Sequence, residues 1–459
     1  MSSDAIYQIT DHILQTKYED IPREVREVAK KLFLDTIGAI IAGSTAQGCD
    51  TVVKLVKNWR GKRESTIAAY GGKVPAYNAV WANSTMARSR EIDAQCDIAG
   101  EHPNVSAYPA ALAMSELLGK INGKDVITAV TLASDFTLRL RTAGHLRPGV
   151  SPWTTGSYAP YVSAIVAGRL MNLNREQFLD ALGLAYTQFS NTVQQHLEGT
   201  LSTRVHHGMN ARNGIIAALL ASKGITGPHN ILEGKFGYYP VFMQNKYDRE
   251  TLLSGLGKEY FNVRLGIKPF SSCAATHQPI EATLQLVRKY DLHPDDITEI
   301  IVHTNQSSFN ICALPPEIKK APQTVVHAQF SFHYTVACAV VYREVYLDQF
   351  TPQSIREPAV LDVARRVTVI VDPTLESEVA VPPSIVEIKT KSGKTYSTRV
   401  DYVKGNPHNP MSFDECVAKF NKSLAYSVKP IRDSQKIIEM VRHLEDVTDI
   451  AEIARLMAG

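Results

Sequence analysis

The chain has 459 residues, 44% of them hydrophobic and 21% charged, with a net charge of +3. Such a length holds two or three domains. So slight a basic excess, with no Lys/Arg run interleaved with aromatics, argues against a nucleic-acid surface and leaves small anions as partners. Six cysteines without CxxC spacing argue against a disulfide framework and a zinc ribbon. Residues 1–7 lack the basic and apolar regions of a secretory signal, and the apolar runs at 37–43 and 215–221 are too short to span a bilayer. A reducing cytoplasm and no membrane contact are therefore expected.

From the N-terminus the chain reads as helix after helix. Pro22 sits at an early helical position, where its missing N–H costs nothing. Val25, Val28, Ala29, Leu32, Phe33, Ile37, Ile40 and Ile41 then recur at helical spacing until Gly43-Ser44. Further helices are expected over 106–118, 124–138, 158–170, 175–190 and 208–223. Many are apolar around most of their circumference, which suits helices buried in a large bundle. Near Gly266-Ile267-Lys268-Pro269 the character changes. A helix over 279–290 precedes the alternating, β-branched run 297–304, and 367–371 reads as a second strand. Two more strands, 385–390 and 395–400, flank the turn signal Ser392-Gly393, with a helix over 329–342 between strands. After Ser412 helical periodicity returns. The expected fold is mainly α, with a large helical domain from 1–267 and 405–459 and a smaller α+β domain over 268–404.

The usual cofactor signatures are missing: no GxGxxG after a strand, no GxxxxGKS/T, no HExxH. Of fourteen histidines only His206-His207 are adjacent, and neighbours on a helix diverge by about 100°, so they do not easily share a metal. Three polar islands interrupt the apolar helices. The first runs from Glu91-Ile92-Asp93-Ala94-Gln95-Cys96-Asp97 to Glu101-His102-Pro103-Asn104. It reads either as a solvated loop or as a base with its orienting carboxylate. The second, Gly149-Val150-Ser151-Pro152-Trp153-Thr154-Thr155-Gly156, offers hydroxyls that cap a helix or hold a carboxylate. The third, Glu198 to Gly208, carries Arg204, whose guanidinium suits bidentate carboxylate binding, and reads equally as a surface loop. His277 precedes a helix at the domain junction, and Tyr334 lies in an apolar helix. Each of these two has a structural reading as well as a chemical one.

Read in order, these segments resemble the MmgE/PrpD family of 2-methylcitrate dehydratase, cis-aconitate decarboxylase and iminodisuccinate epimerase. Leu34-Asp35-Thr36-Ile37-Gly38 with Ala42-Gly43-Ser44 is similar to the family's LDTxG…AGS helix. Asn83, Glu91-Ile92-Asp93, His102-Pro103 and Pro109-Ala110-Ala111-Leu112-Ala113 follow its N-G…D-F/Y-D-D-T…H-P…PAALA segment. Arg204-Val205-His206-His207-Gly208 resembles R-L-H-P-G, and Thr226-Gly227-Pro228 with Ile231-Leu232-Glu233-Gly234 resembles TGP…ILEG. Lys268-Pro269-Phe270 with Thr276-His277-Gln278-Pro279 resembles KPY…THPA, and Ala328-Gln329-Phe330-Ser331 with Tyr334 resembles AKFS…Y. The matches are collinear over nearly the whole chain.

The resemblance implies a helical domain with an α+β lid, a site between them, a homodimer and no cofactor or metal. It implies acid/base roles for His102, His277, Tyr334 and Asp93, and substrate contacts from Glu91, Gln95, Ser151, Thr155, Thr203, Arg204 and His206. Where the family pattern has D-D-T, this chain has Asp93-Ala94-Gln95. Ser151 stands where a histidine is expected, and Thr203 where a lysine is. The expected activity is a hydro-lyase on a hydroxy di- or tricarboxylate, acting by proton abstraction next to a carboxylate. An epimerase or decarboxylase of a small dicarboxylate is the alternative, as is a catalytically inactive binding protein on the same fold.

Overall fold

A computed structural model describes residues 3–96, 98, 100–144, 155–376 and 381–459. The chain is mainly α, with 58% of the described residues helical. The helix Arg23–Gly43 is buried at every position from Leu32 to its end, an apolar run interrupted only by Asp35 and Thr36. Small residues let its neighbours come close. A Cβ on Gly43 would lie 1.9 Å from the carbonyl oxygen of Met86 in the helix Ala76–Arg88. One on Gly208, in the helix Ser202–Ala221, would lie 2.4 Å from that of Trp81. Backbone-to-backbone contact of this kind is open only to glycine.

Two large hydrophobic cores result, beside a small cluster of Ala39, Ala42, Ile92, Tyr346 and Leu347. The first gathers side chains from Ala5 to Ile267 and takes in Cys416, Phe420, Ile437 and others up to Met457. The second spans Phe270 to Val403. In it, a four-stranded sheet runs in the order Val367–Val371, Ile297–Thr304, Ser384–Thr390, Thr395–Val400. The first pair is parallel and the other two antiparallel. Burial alternates strictly along Ser384–Thr390, so one face meets the helices His277–Lys289 and Phe332–Tyr342.

The structure changes some sequence expectations. The third polar island is helix, not surface loop: Ser202–Ala221 begins six residues before the expected 208, and Thr203, Arg204, His206 and His207 are buried in it. Polar side chains there hid a helix whose partners are themselves buried polar groups. The expected helix 175–190 ends at Tyr186. The first island is no solvated loop either, since Glu91, Asp93, Glu101 and His102 are all buried.

The segment 90–96 is where the two cores meet. Gln95–Cys96 pairs antiparallel with Leu265–Gly266. The Arg90 carbonyl accepts from Ser271 Oγ at 2.6 Å and Gln329 Nε2 at 3.2 Å. Lys419, from the helix Phe413–Leu424, donates to Asp35 Oδ1 at 2.5 Å and to the Ile92 carbonyl at 2.6 Å. Asp35 is buried, and without Lys419 its charge would stand uncompensated. Breaking such a pair from one side costs about 3–5 kcal/mol. Lys419→Met should therefore lower the denaturation midpoint markedly, while Lys419→Met paired with Asp35→Leu should recover much of the loss. Urea melts of the three proteins check this.

Candidate active site

At the end of Ala76–Arg88 the chain turns sharply. Glu91 takes a positive φ of 54°, which folds its carboxylate back onto the Arg88 guanidinium in an i,i+3 ion pair. Arg88 Nη1 also lies 3.3 Å from Asp93 Oδ1. Glu91 Oε2 accepts from Lys268 Nζ at 2.9 Å, and Asp93 Oδ2 lies 2.6 Å from His102 Nδ1. All five side chains are buried. Cation and carboxylate alternate along the row, which is how charges survive away from water.

The electrostatics follow from that order. Burial pushes the Glu91 carboxyl up, but Arg88 and then Lys268 outweigh it and bring it down to about 2. For Asp93 burial is likewise overcome, by Arg88 and His102, leaving it well below the carboxylate range. Burial, and Arg88 behind it, lower the pKa of His102 against the pull of Asp93. His102 is thus neutral at pH 7, with Nδ1–H donating to Asp93 and the lone pair on Nε2. A carboxylate holding one ring nitrogen so as to leave the other basic is the arrangement a general base needs.

His277 is buried at the first position of its helix, with Nε2 3.2 Å from the Ser272 carbonyl. Burial, then the Lys268 charge, bring its pKa down to about 3. A cavity of about 20 Å³, enough for one water, is lined by Gln95, Lys268 and His277 among others. Lys268 is therefore the link: its ammonium bonds the His102 row through Glu91 and faces the same cavity as His277. His207 meets His102 edge-on at 6.2 Å between centroids, and His206 packs on His207.

Other expected residues fall elsewhere. Tyr334 does not face the cleft. It is wholly buried in the second core, and its hydroxyl donates to the Gln349 carbonyl at 2.5 Å. Its helix is apolar all round, so the phenol was free to turn inward. Thr203 donates to the Thr200 carbonyl of its own turn at 2.9 Å. Arg204 Nη1 donates to the Gln47 carbonyl at 3.1 Å. Ser151 and the side chain of Thr155 lie outside the described residues. Arg88 and Lys268 were not singled out from the sequence. Their signal was a lone basic residue closing an apolar helix and another opening the Lys268-Pro269-Phe270 segment. Among the described residues no three His, Cys, Asp or Glu side chains are grouped to hold a metal, and no helix is long and apolar enough to cross a membrane.

A mainly helical chain with a second α+β core, and a buried carboxylate–histidine pair at the seam, is the class of protein that these features define. Residues 7–250 match the MmgE/PrpD N-terminal domain and 270–446 the MmgE/PrpD C-terminal domain, so the chain belongs to the MmgE/PrpD family. It is 27% identical to cis-aconitate decarboxylase of Aspergillus terreus, covering 96% of this chain and 93% of that protein. It is 24% identical to cis-aconitate decarboxylase of Homo sapiens, over 94% and 90%. Mitochondrial 2-methylcitrate dehydratase of Yarrowia lipolytica is 23% identical, over 84% and 77%. These relatives are lyases, and the chain is an enzyme of their family.

Asp93→Asn keeps the shape of the pair but turns its donor toward Nδ1, favouring the wrong tautomer of His102. Activity should fall by about 10²–10⁴-fold, read by kcat, and the melting temperature should fall too, read by calorimetry, because buried Arg88 loses one of its two carboxylate partners. Acid should also unfold the protein early. His277 has a folded pKa of about 3 against an ordinary 6.5, so the unfolded chain binds its proton first. Stability is then full above pH 6.5 and lost as pH falls toward 3. Glu91, at about 2 against 4.5, adds a loss that begins below pH 4.5. Denaturation midpoints between pH 8 and 3 should decline throughout that window.

Proposed function

We propose that this enzyme is a hydro-lyase acting, without a cofactor, on a hydroxy di- or tricarboxylate of 2-methylcitrate type. The observation that carries this reading is the neutral His102, pinned by Asp93 through Nδ1 and with no hydrogen bond at Nε2 among the described residues, beside the buried cations Arg88 and Lys268. His102 Nε2 takes the proton from the carbon next to a carboxylate. Negative charge then builds on that carboxylate, and Lys268 and Arg88 stabilise it in a site of low dielectric. The electron pair forms the alkene as hydroxide leaves and is protonated to water. With Tyr334 turned into the second core, His277 is the remaining acid of the expected set. The charges of a bound polycarboxylate raise its pKa toward the working range.

A second reading, decarboxylation of cis-aconitate, is favoured by the 27% identity to the Aspergillus terreus enzyme over 96% of this chain. Against it stands Thr203, whose hydroxyl supplies no cation where the family pattern has lysine. A homodimer in the cytoplasm is part of the same proposal.

The test is a panel of citrate-like acids and cis-aconitate in deuterated water. The expected result is an alkene and water from a 2-methylcitrate-type acid, with solvent deuterium entering recovered substrate. Carbon dioxide released from cis-aconitate at a comparable rate would install the second reading instead, and no reaction at all would favour a binding protein. With the active acid, His277→Ala should lose about 10²–10⁴-fold in kcat and retain its fold. Parent-like turnover would remove His277 from the mechanism.

A further inference from the structure

Gln278 is the second residue of the helix His277–Lys289 and is wholly buried. Neither its Oε1 nor its Nε2 has a hydrogen-bond partner among the described residues. The two ends of an amide are easily interchanged, but both are unpaired here, so the deficit is the same whichever way the group is turned. Buried polar groups are almost always paired, and one left without a partner destabilises the fold. A buried carboxamide with donor and acceptor both unused is half of a recognition pair.

The side chain does not face a closed core. Gln278 lines the cavity of about 20 Å³ that Lys268 and His277 also line, with Val381 and Val403 as apolar wall. His277 commits Nε2 to the Ser272 carbonyl, and no hydrogen bond among the described residues reaches its Nδ1. An ammonium, an imidazole nitrogen and an unpaired amide thus share one small space. Their chemistry selects what fits. Nε2 donates and Oε1 accepts, so the matching group must accept and donate at once. A carboxylate only accepts, and Oε1 repels its charge. A hydroxyl does both, and it has the size of the single water that such a cavity holds.

We propose that Gln278 binds the substrate's hydroxyl, the group that leaves in the elimination. The proposal rests on the hydro-lyase reading. The hydroxyl donates to Oε1 and accepts from Nε2, closing a ring with the amide, and its second lone pair is left for His277. As His102 takes the proton, the C–H electron pair becomes the alkene and the C–O pair stays with oxygen. That oxygen takes the Nδ1 proton of His277, which leaves a neutral imidazole and a water still held by Gln278. An acid without the hydroxyl leaves the buried amide unpaired, so Gln278 also sets the preference for hydroxy acids.

The test compares 2-methylcitrate as substrate with its deoxy analogue, bearing hydrogen in place of the hydroxyl, as competitive inhibitor of the full chain. Gln278→Met keeps the side chain's length and removes both polar groups. It should lower kcat/KM for 2-methylcitrate by about tenfold or more, while the analogue's inhibition constant moves less than about twofold. A merely structural role would weaken both together and lower the melting temperature. The ligand-free variant should instead melt no lower than the parent, since the lost amide has no protein partner. Parent-like kcat/KM in Gln278→Met, or equal weakening of substrate and analogue, overturns the hydroxyl site and leaves the hydro-lyase reading standing. If Gln278→Met fails to fold, Gln278→Leu is measured in the same way, and failure of both assigns Gln278 to the fold and overturns the proposal. Failure of the parent to dehydrate 2-methylcitrate sinks the hydro-lyase reading first, and the hydroxyl site with it.

Discussion

The site depends on one constraint: five ionisable side chains share a volume without bulk water, and each can keep its state only through the next. Lys268 holds Glu91, Glu91 holds Arg88, Arg88 holds Asp93, and Asp93 holds the tautomer of His102. Removing any of the four charged members deprives a buried charge of a partner, so geometry and protonation are one problem here. The row also crosses the seam, since Lys268 follows the last strand of the first core and the others precede it by some 170 residues in sequence. Chemistry and the docking of the two cores thus share the same ion pairs.

The surroundings serve that row. The positive φ of Glu91 turns its carboxylate back to Arg88, and the pairing of Gln95–Cys96 with Leu265–Gly266 brings Lys268 beside it. Three segments hold the backbone of 90–92 in place: 271, 329 and 419. A base must hold its nitrogen to within fractions of an ångström, and a loop anchored from three sides has little freedom to drift.

Much of this was legible in the sequence, for physical reasons. Helices buried all round and strands with one buried face write their periodicity into the chain, so 297–304 and the hairpin about Ser392-Gly393 could be read directly. Asp93, Glu91 and His102 stood out as charge among apolar helices. What could not be read was direction. Tyr334 has a buried phenol whichever way it turns, and only packing shows that it meets the Gln349 carbonyl. Arg88 and Lys268 are single basic residues, a type that most often faces solvent, and only their carboxylate partners mark them as interior. The buried start of Ser202–Ala221 was hidden because polar residues inside a protein look, in sequence, like polar residues outside it.

The return of the C-terminal segment to the first core has a consequence for biosynthesis. Phe420, Ile437, Ile438, Val441 and Ile453 complete a core begun at Ala5, and Lys419 neutralises Asp35 inside it. As the ribosome emits the chain, the helices up to Ile267 emerge first and must wait while the whole second core is made, on the order of ten seconds. During that interval the face awaiting the last helices is bare, and a buried aspartate has no counter-ion. The first core is thus the earlier to be synthesised and the later to close, so its apolar face stays uncovered until the last helices emerge.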